Sequence, residues 1–149
     1  MKIYLGSDHN GFRLKATLVD HLKRSGYEVV DDGPDKLDPN DDFPVFAAKV
    51  VTAVLGSDDK DARGILICGS GQGMVMAANR HRGIRAALIY DRESARSSRN
   101  DDDANVMALP AHLLAGDLHE ASVIVEIFML TPFAAAERFK RRIQELDNL

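Results

Sequence analysis

The run Gly64-Ile65-Leu66-Ile67-Cys68-Gly69-Ser70-Gly71-Gln72-Gly73-Met74 limits what this chain can become more than any other stretch. Ile65 to Ile67 is short, unbroken and rich in β-branched residues, the pattern of a strand buried on both faces. A strand covered from both sides needs a layer above and a layer below, which selects an α/β architecture. Gly69, Gly71 and Gly73 then let backbone N–H groups converge on one point, and residues 72–79 continue as a helix whose N-terminus favours an anion. Cys68, the only cysteine, sits where strand becomes turn, and the aligned peptide dipoles there favour its thiolate.

The rest of the chain repeats the strand-then-helix alternation. Residues 2–6 read as a strand, and 12–22 carry helical spacing that Ser25-Gly26 ends. A strand over 27–30 leads into the acidic loop 31–42, then a helix over 43–55 with Pro44 in its first turn. After the 65–67 strand come a buried strand over 84–90, a short helix over 91–98 with Asp91 as N-cap, and the triple aspartate 101–103 as a loop. A strand over 105–109, a helix over 116–129, a break at Thr131-Pro132 and a last helix over 133–146 complete the chain. This pattern predicts one domain over residues 1–149: three α/β/α layers around a doubly wound, five-stranded parallel sheet with right-handed crossovers. Ligands bind such sheets beyond the carboxyl ends of the strands. The turns at Asp8-His9, 68–73 and 101–103 are expected to cluster there.

Composition excludes several classes of function. Lysine and arginine number 19 against 23 aspartates and glutamates, a net charge of −4 that gives no footprint for nucleic acid. One cysteine forms no internal disulfide, and Met1 to Leu5 runs at once into Gly6-Ser7-Asp8, too short for a signal peptide, so a cytoplasmic location is expected. No apolar run approaches the roughly 20 residues of a membrane span. His21, His81 and His119 have no ligand partners at metal spacing, and no metal is expected.

Chemistry-bearing residues keep two readings each at this level. Cys68 beside converging N–H donors suits a base that removes a proton next to a carbonyl, the donors stabilising the enolate. The same glycines equally suit a phosphate, leaving Cys68 an inert small hydrophobe. Asp8 and His9 suit an acid/base pair, and Asp8 equally suits a helix cap. Arg138 and Arg142, four apart, share a helix face and match a phosphate, whereas Lys140 and Arg141 read as a solvated basic end.

Ser7-Asp8-His9, the 68–73 turn and Ala77-Ala78-Asn79 together resemble the ribose-5-phosphate isomerase B family, which belongs with the galactose-6-phosphate isomerase subunits. The resemblance runs through Gly83-Ile84-Arg85-Ala86, Ala104-Asn105-Val106, Thr131-Pro132-Phe133 and the two arginines. It implies a flavodoxin-like sheet of order 2-1-3-4-5 and a cofactor-free aldose-ketose isomerase. It also implies a homodimer or dimer of dimers with interface sites, in which the C-terminal helix, about 133–147, takes part. By resemblance Cys68 is the base and Ser70 assists proton transfer. Gly69, Gly71, Gln72 and Gly73 form the anion hole, Asp8 and His9 contact substrate, and Arg138 and Arg142 bind phosphate. The expected reaction interconverts ribose 5-phosphate and ribulose 5-phosphate through an enediolate. The alternatives are isomerisation of another sugar or sugar phosphate, or a non-catalytic sugar-phosphate binder.

The chain departs from the family pattern at three places. Asp101 stands where the family has a ring-opening histidine and Asp102 where it has a substrate-holding asparagine. His112 occupies the place of a phosphate-binding arginine, and Ala136-Glu137 replaces a Gly-Gly with one residue inserted. These departures bear on ring opening and phosphate affinity rather than on proton transfer at Cys68.

Overall fold

The computed structural model describes residues 1–149. Its elements run β1 Lys2–Ser7, α1 Phe12–Arg24, β2 Glu28–Asp31, α2 Phe43–Leu55, β3 Arg63–Cys68, α3 Gln72–Ala78, β4 Ala86–Leu88, α4 Arg92–Asp102, β5 Val106–Pro110, α5 Ala111–Leu114, α6 Leu118–Leu130 and α7 Glu137–Asp147. All four strand pairings are parallel, as the alternation predicts.

The central strands alternate cleanly between the two faces. Ile3, Leu5, Ile65, Ile67, Met107 and Leu109 join a cluster with α1, α4 and α6, while Tyr4, Leu66, Cys68, Val106 and Ala108 join a second cluster with α2 and α3. Ile65, Leu66 and Ile67 are fully buried, each worth about 2–3 kcal/mol against exposure. These two layers fix β3 in the middle of the sheet, so the Cys68 turn emerges at its centre rather than at an edge.

Strand order is β2-β1-β3-β5-β4. The last two strands are therefore exchanged relative to the expected 2-1-3-4-5. The reason lies in their cover: β5 is buried along its whole length, whereas β4 is three residues long and only half-buried. The fully buried strand takes the interior and the short, half-buried one the edge.

Three helical boundaries also differ from expectation. Asp101 and Asp102 form the last turn of α4, with Asp103 as its left-handed cap at φ 47°, instead of a free loop. Arg99, buried at 3 % exposure, ties that end down by donating from Nη1 to Asp103 Oδ1 and to the Ala104 carbonyl, both at 2.7 Å. The final helix begins at Glu137 rather than 133, because the Ala134 N–H donates to the Asn100 carbonyl and Ala135 adopts φ 52°. A short α5 intervenes after β5, and α6 starts at Leu118, capped by Asp117 accepting from the Glu120 N–H at 2.9 Å.

Candidate active site

The carboxyl ends of β1, β3 and β5, adjacent in the sheet, bring one group of residues together. Cys68 closes β3, and its Sγ accepts the Gly71 N–H at 3.1 Å. Gly71 reaches that position only with φ 75°, a left-handed conformation that suits glycine, and an added methyl would collide with Leu88 Cδ1. Gly71→Ala is expected to cost about 2 kcal/mol of stability, read as a lower urea midpoint, together with a loss of activity.

The turn leaves donors free. The Ser70 and Gly73 N–H groups meet no acceptor in the chain, while the Gln72 N–H contacts Ser70 Oγ at 3.4 Å. Unclaimed N–H groups in the same turn as a thiol are donors that an anion could take. Phe43 packs against Gly73 on one side, and His112, at the start of α5, lies against Gly69, its N–H donating to the Gly69 carbonyl at 3.0 Å.

Asp8 and His9 flank Cys68 from the other side, after β1. Asp8 is buried and accepts the Asn10 and Gly11 N–H groups at 2.9 and 3.2 Å, so it caps this turn. His9 stands half-buried, its Nδ1 2.7 Å from Asp41 Oδ1. The hydrogen bond to Asp41 holds the imidazole above the ordinary histidine range, burial opposing and the Asp8 carboxylate adding to the rise. Asp41 was not visible as a site residue in the sequence. It is one aspartate in an acidic stretch that reads as solvated, and it meets His9 across 32 positions.

The 101–103 turn does not join this cluster. Helix α4 runs antiparallel to the strands, so its last turn lies where β5 begins. There Asn105 Oδ1 accepts the Arg85 N–H just before β4, and its carbonyl accepts the Gly64 N–H at the start of β3. Asp101 and Asp102 therefore sit at the opposite end of the strands from Cys68, about 15 Å away. A cleft of about 570 Å³ at that end takes in Asp102, Arg85 and Leu149 but no residue of the Cys68 group.

Arg138 and Arg142 belong with the aspartates. Helix α7 packs on α4, and Arg142 acts on Asp102: burial and the Asp101 carboxylate push Asp102 above the usual carboxylate range, and the guanidinium pulls the other way. Both arginines are exposed without a carboxylate partner, Arg138 stacking 4.3 Å over the Phe139 ring, whereas Lys140 and Arg141 pair with Glu137 and Glu145. The chain thus carries two candidate half-sites. One holds the thiol, the unclaimed N–H donors and two histidines, and the other two carboxylates and two guanidinium groups without a carboxylate partner.

Residues 3–146 match the family model described as ribose/galactose isomerase. The chain belongs to that family. Among curated relatives, the probable ribose-5-phosphate isomerase B of Mycoplasma genitalium is 41% identical over 144 residues, 97% of this chain and 92% of that protein. The ribose 5-phosphate isomerase structure from Thermotoga maritima superposes with a TM-score of 0.92 at 40% identity, covering 99% of this chain and 98% of that one. The Mycoplasma genitalium enzyme solved with bound ribulose-5-phosphate gives 0.91 at 38% identity, over 99% and 94%. No helix is long and apolar enough to cross a membrane.

Proposed function

We propose that this isomerase-family chain interconverts ribose 5-phosphate and ribulose 5-phosphate, with Cys68 as the base. The carrying observation is the thiol at the end of β3, holding the Gly71 N–H in a turn that carries further unclaimed N–H donors. The thiolate takes the proton from C2 of the open aldose, and the electron pair moves through C1–C2 onto O1. The Ser70 and Gly73 N–H groups hold the resulting enediolate oxygen, and Ser70 Oγ relays the hydroxyl proton from O2 to O1. The thiol then returns its proton to C1, giving the ketose. Each bond broken is matched by one formed, so the chain's own groups suffice and no cofactor enters.

The phosphate end is the task of the second half-site, supplied by another copy of the chain. Arg138 and Arg142 offer two unpaired guanidinium groups on one face of α7, and such contacts are worth about 1.5–3 kcal/mol each. In this reading residues 1–149 act as one domain, α7 lies at the contact between copies, and the single reduced cysteine suits a cytoplasmic setting.

One observation favours a different substrate of the same reaction. Asp101 and Asp102 place two carboxyl groups beside the arginines, and Asp102 keeps its proton more readily than an ordinary carboxylate. Carboxylates match sugar hydroxyls and oppose a dianion. The discriminating assay compares specificity constants for ribose 5-phosphate, a hexose 6-phosphate, a tetrose phosphate and free ribose. Ribose 5-phosphate is expected to lead by at least about tenfold, the worth of a single charged contact. A free sugar performing equally well would assign the carboxylates, not the arginines, to the substrate's far end.

A further inference from the structure

The contact between Asp41 and His9 is one-sided in a way that a general ion pair is not. Asp41 arrives from the segment between β2 and α2, and its side chain is 8% exposed. Its Oδ1 accepts two donors from the same residue, the His9 backbone N–H at 3.0 Å and Nδ1 at 2.7 Å. Its Oδ2 is buried with no partner at all. The buried carboxylate is thus committed to a single neighbour, gripping both the backbone and the ring of His9, and the ring turns Nε2 away from it.

At Nε2 stands the amide of Asn10, with Nδ2 3.0 Å from the ring and 3.3 Å from Asp8 Oδ2. An amide nitrogen donates, so this arrangement belongs to the neutral imidazole with its proton on Nδ1 and a lone pair on Nε2. Protonation turns Nε2 into a donor facing a donor. The contact must then open, which frees an N–H for an acceptor from outside. The charged groups that face the ring are Asp41, Asp8 and Asp38, all carboxylates that favour the imidazolium. Of the side chains described at the Cys68 end of the strands, His9 and His112 carry the basic nitrogens.

We propose that Asp41 is a positioning residue that makes His9 the cationic contact that the Cys68 half-site offers to the substrate phosphate, opposite the arginines supplied by the other copy. The inference rests on the sugar-phosphate reading above. Asp41 fixes the ring's orientation and carries the countercharge, Asn10 holds Nε2 in the empty site, and an incoming phosphate oxygen replaces Asn10 as the partner of Nε2–H. His9 is charged below its raised pKa, so the contact weakens and KM rises as pH climbs through that value. Removing the Asp41 charge moves the same rise to lower pH. The second ionisation of the phosphate ester, near pH 6, is common to both proteins and cancels in the comparison.

Titration of the His9 ring by proton–nitrogen NMR reads the first half of this proposal without turnover. In the native protein, inorganic phosphate is expected to raise the His9 pKa; an unchanged titration overturns the proposal. In Asp41→Asn, His9 is expected to titrate at lower pH and to respond less to phosphate. KM for ribose 5-phosphate near pH 7.5 is expected to rise about tenfold, the loss falling on KM rather than kcat, with Asp41→Glu recovering part of it. A loss confined to kcat, or a His9 titration indifferent to Asp41, overturns it too. Failure of the sugar-phosphate reading looks different, since native protein would then leave ribose 5-phosphate unconverted while the phosphate titration of His9 still decides the role of Asp41.

Discussion

Cys68→Ala is expected to lower kcat for ribose 5-phosphate by about 10³-fold or more and to abolish deuterium uptake from solvent into the sugar, with substrate binding retained. The side chain is small and 6% exposed, so its truncation leaves a cavity of little more than one atom, and a stability loss near 1 kcal/mol cannot mimic an inactive site. What disappears is the only group that both lies at the turn and can take a proton from carbon. The N–H groups of Ser70 and Gly73 remain in place, so the anion hole outlasts the base. Cys68→Ser separates these parts further. A hydroxyl still accepts the Gly71 N–H and preserves the turn, yet is a far weaker base at neutral pH, so its activity should stay close to that of the alanine variant. Full activity in Cys68→Ala would falsify the assignment of the base. A native protein that binds ribose 5-phosphate but catalyses no exchange would place the chain among non-catalytic binders.

The parts of the fold that could be read in the sequence are those determined locally. The β3 run and its glycine turn show themselves because burial on both faces removes every polar residue and because the left-handed Gly71 leaves a compositional trace. Asp91 could be read as a cap because its partner, Ser94, is three residues away, at 2.7 Å from N–H to Oδ1. The exchange of β4 and β5 could not, since both segments are apolar and which one pairs with β3 is a long-range choice. The helical state of Asp101 and Asp102 depends on Arg99 reaching Asp103 and Ala104, a tertiary anchor that overrides the poor helix propensity of aspartate. The same limit hid Asp41, whose role exists only because a distant loop folds back over His9. Residue types for both candidate half-sites were present in the sequence, but their division between the two ends of the strands follows from the direction of α4.

That division gives the second large effect, which comes from mixing two inactive proteins. Cys68→Ala destroys one half-site, and the double substitution Arg138→Ala with Arg142→Ala destroys the other; each homogeneous protein is expected to be nearly inactive. Unfolded together in equal amounts and refolded, they should recover about a quarter of native activity. The arithmetic follows from a two-fold dimer: half of the dimers are hybrids, and in each hybrid one site receives the intact thiol and the intact arginines while its mate receives both lesions. Such complementation is impossible if a site is built within one chain, because every chain in the mixture carries a lesion. The structure disfavours that alternative, since α4 and α7 hold Asp102 and Arg142 at the end of the sheet where β5 begins, while Cys68 lies at the carboxyl end of β3. Bringing them together inside one chain would require detaching α4 from α6 and breaking the buried Arg99 contacts. Meeting across a dimer axis requires only that two preformed surfaces face each other. Recovery in the mixture together with a dimeric mass in solution is the expected result. Activity that stays at the level of the separate variants would return the arginines to the bland role of a solvated helix end.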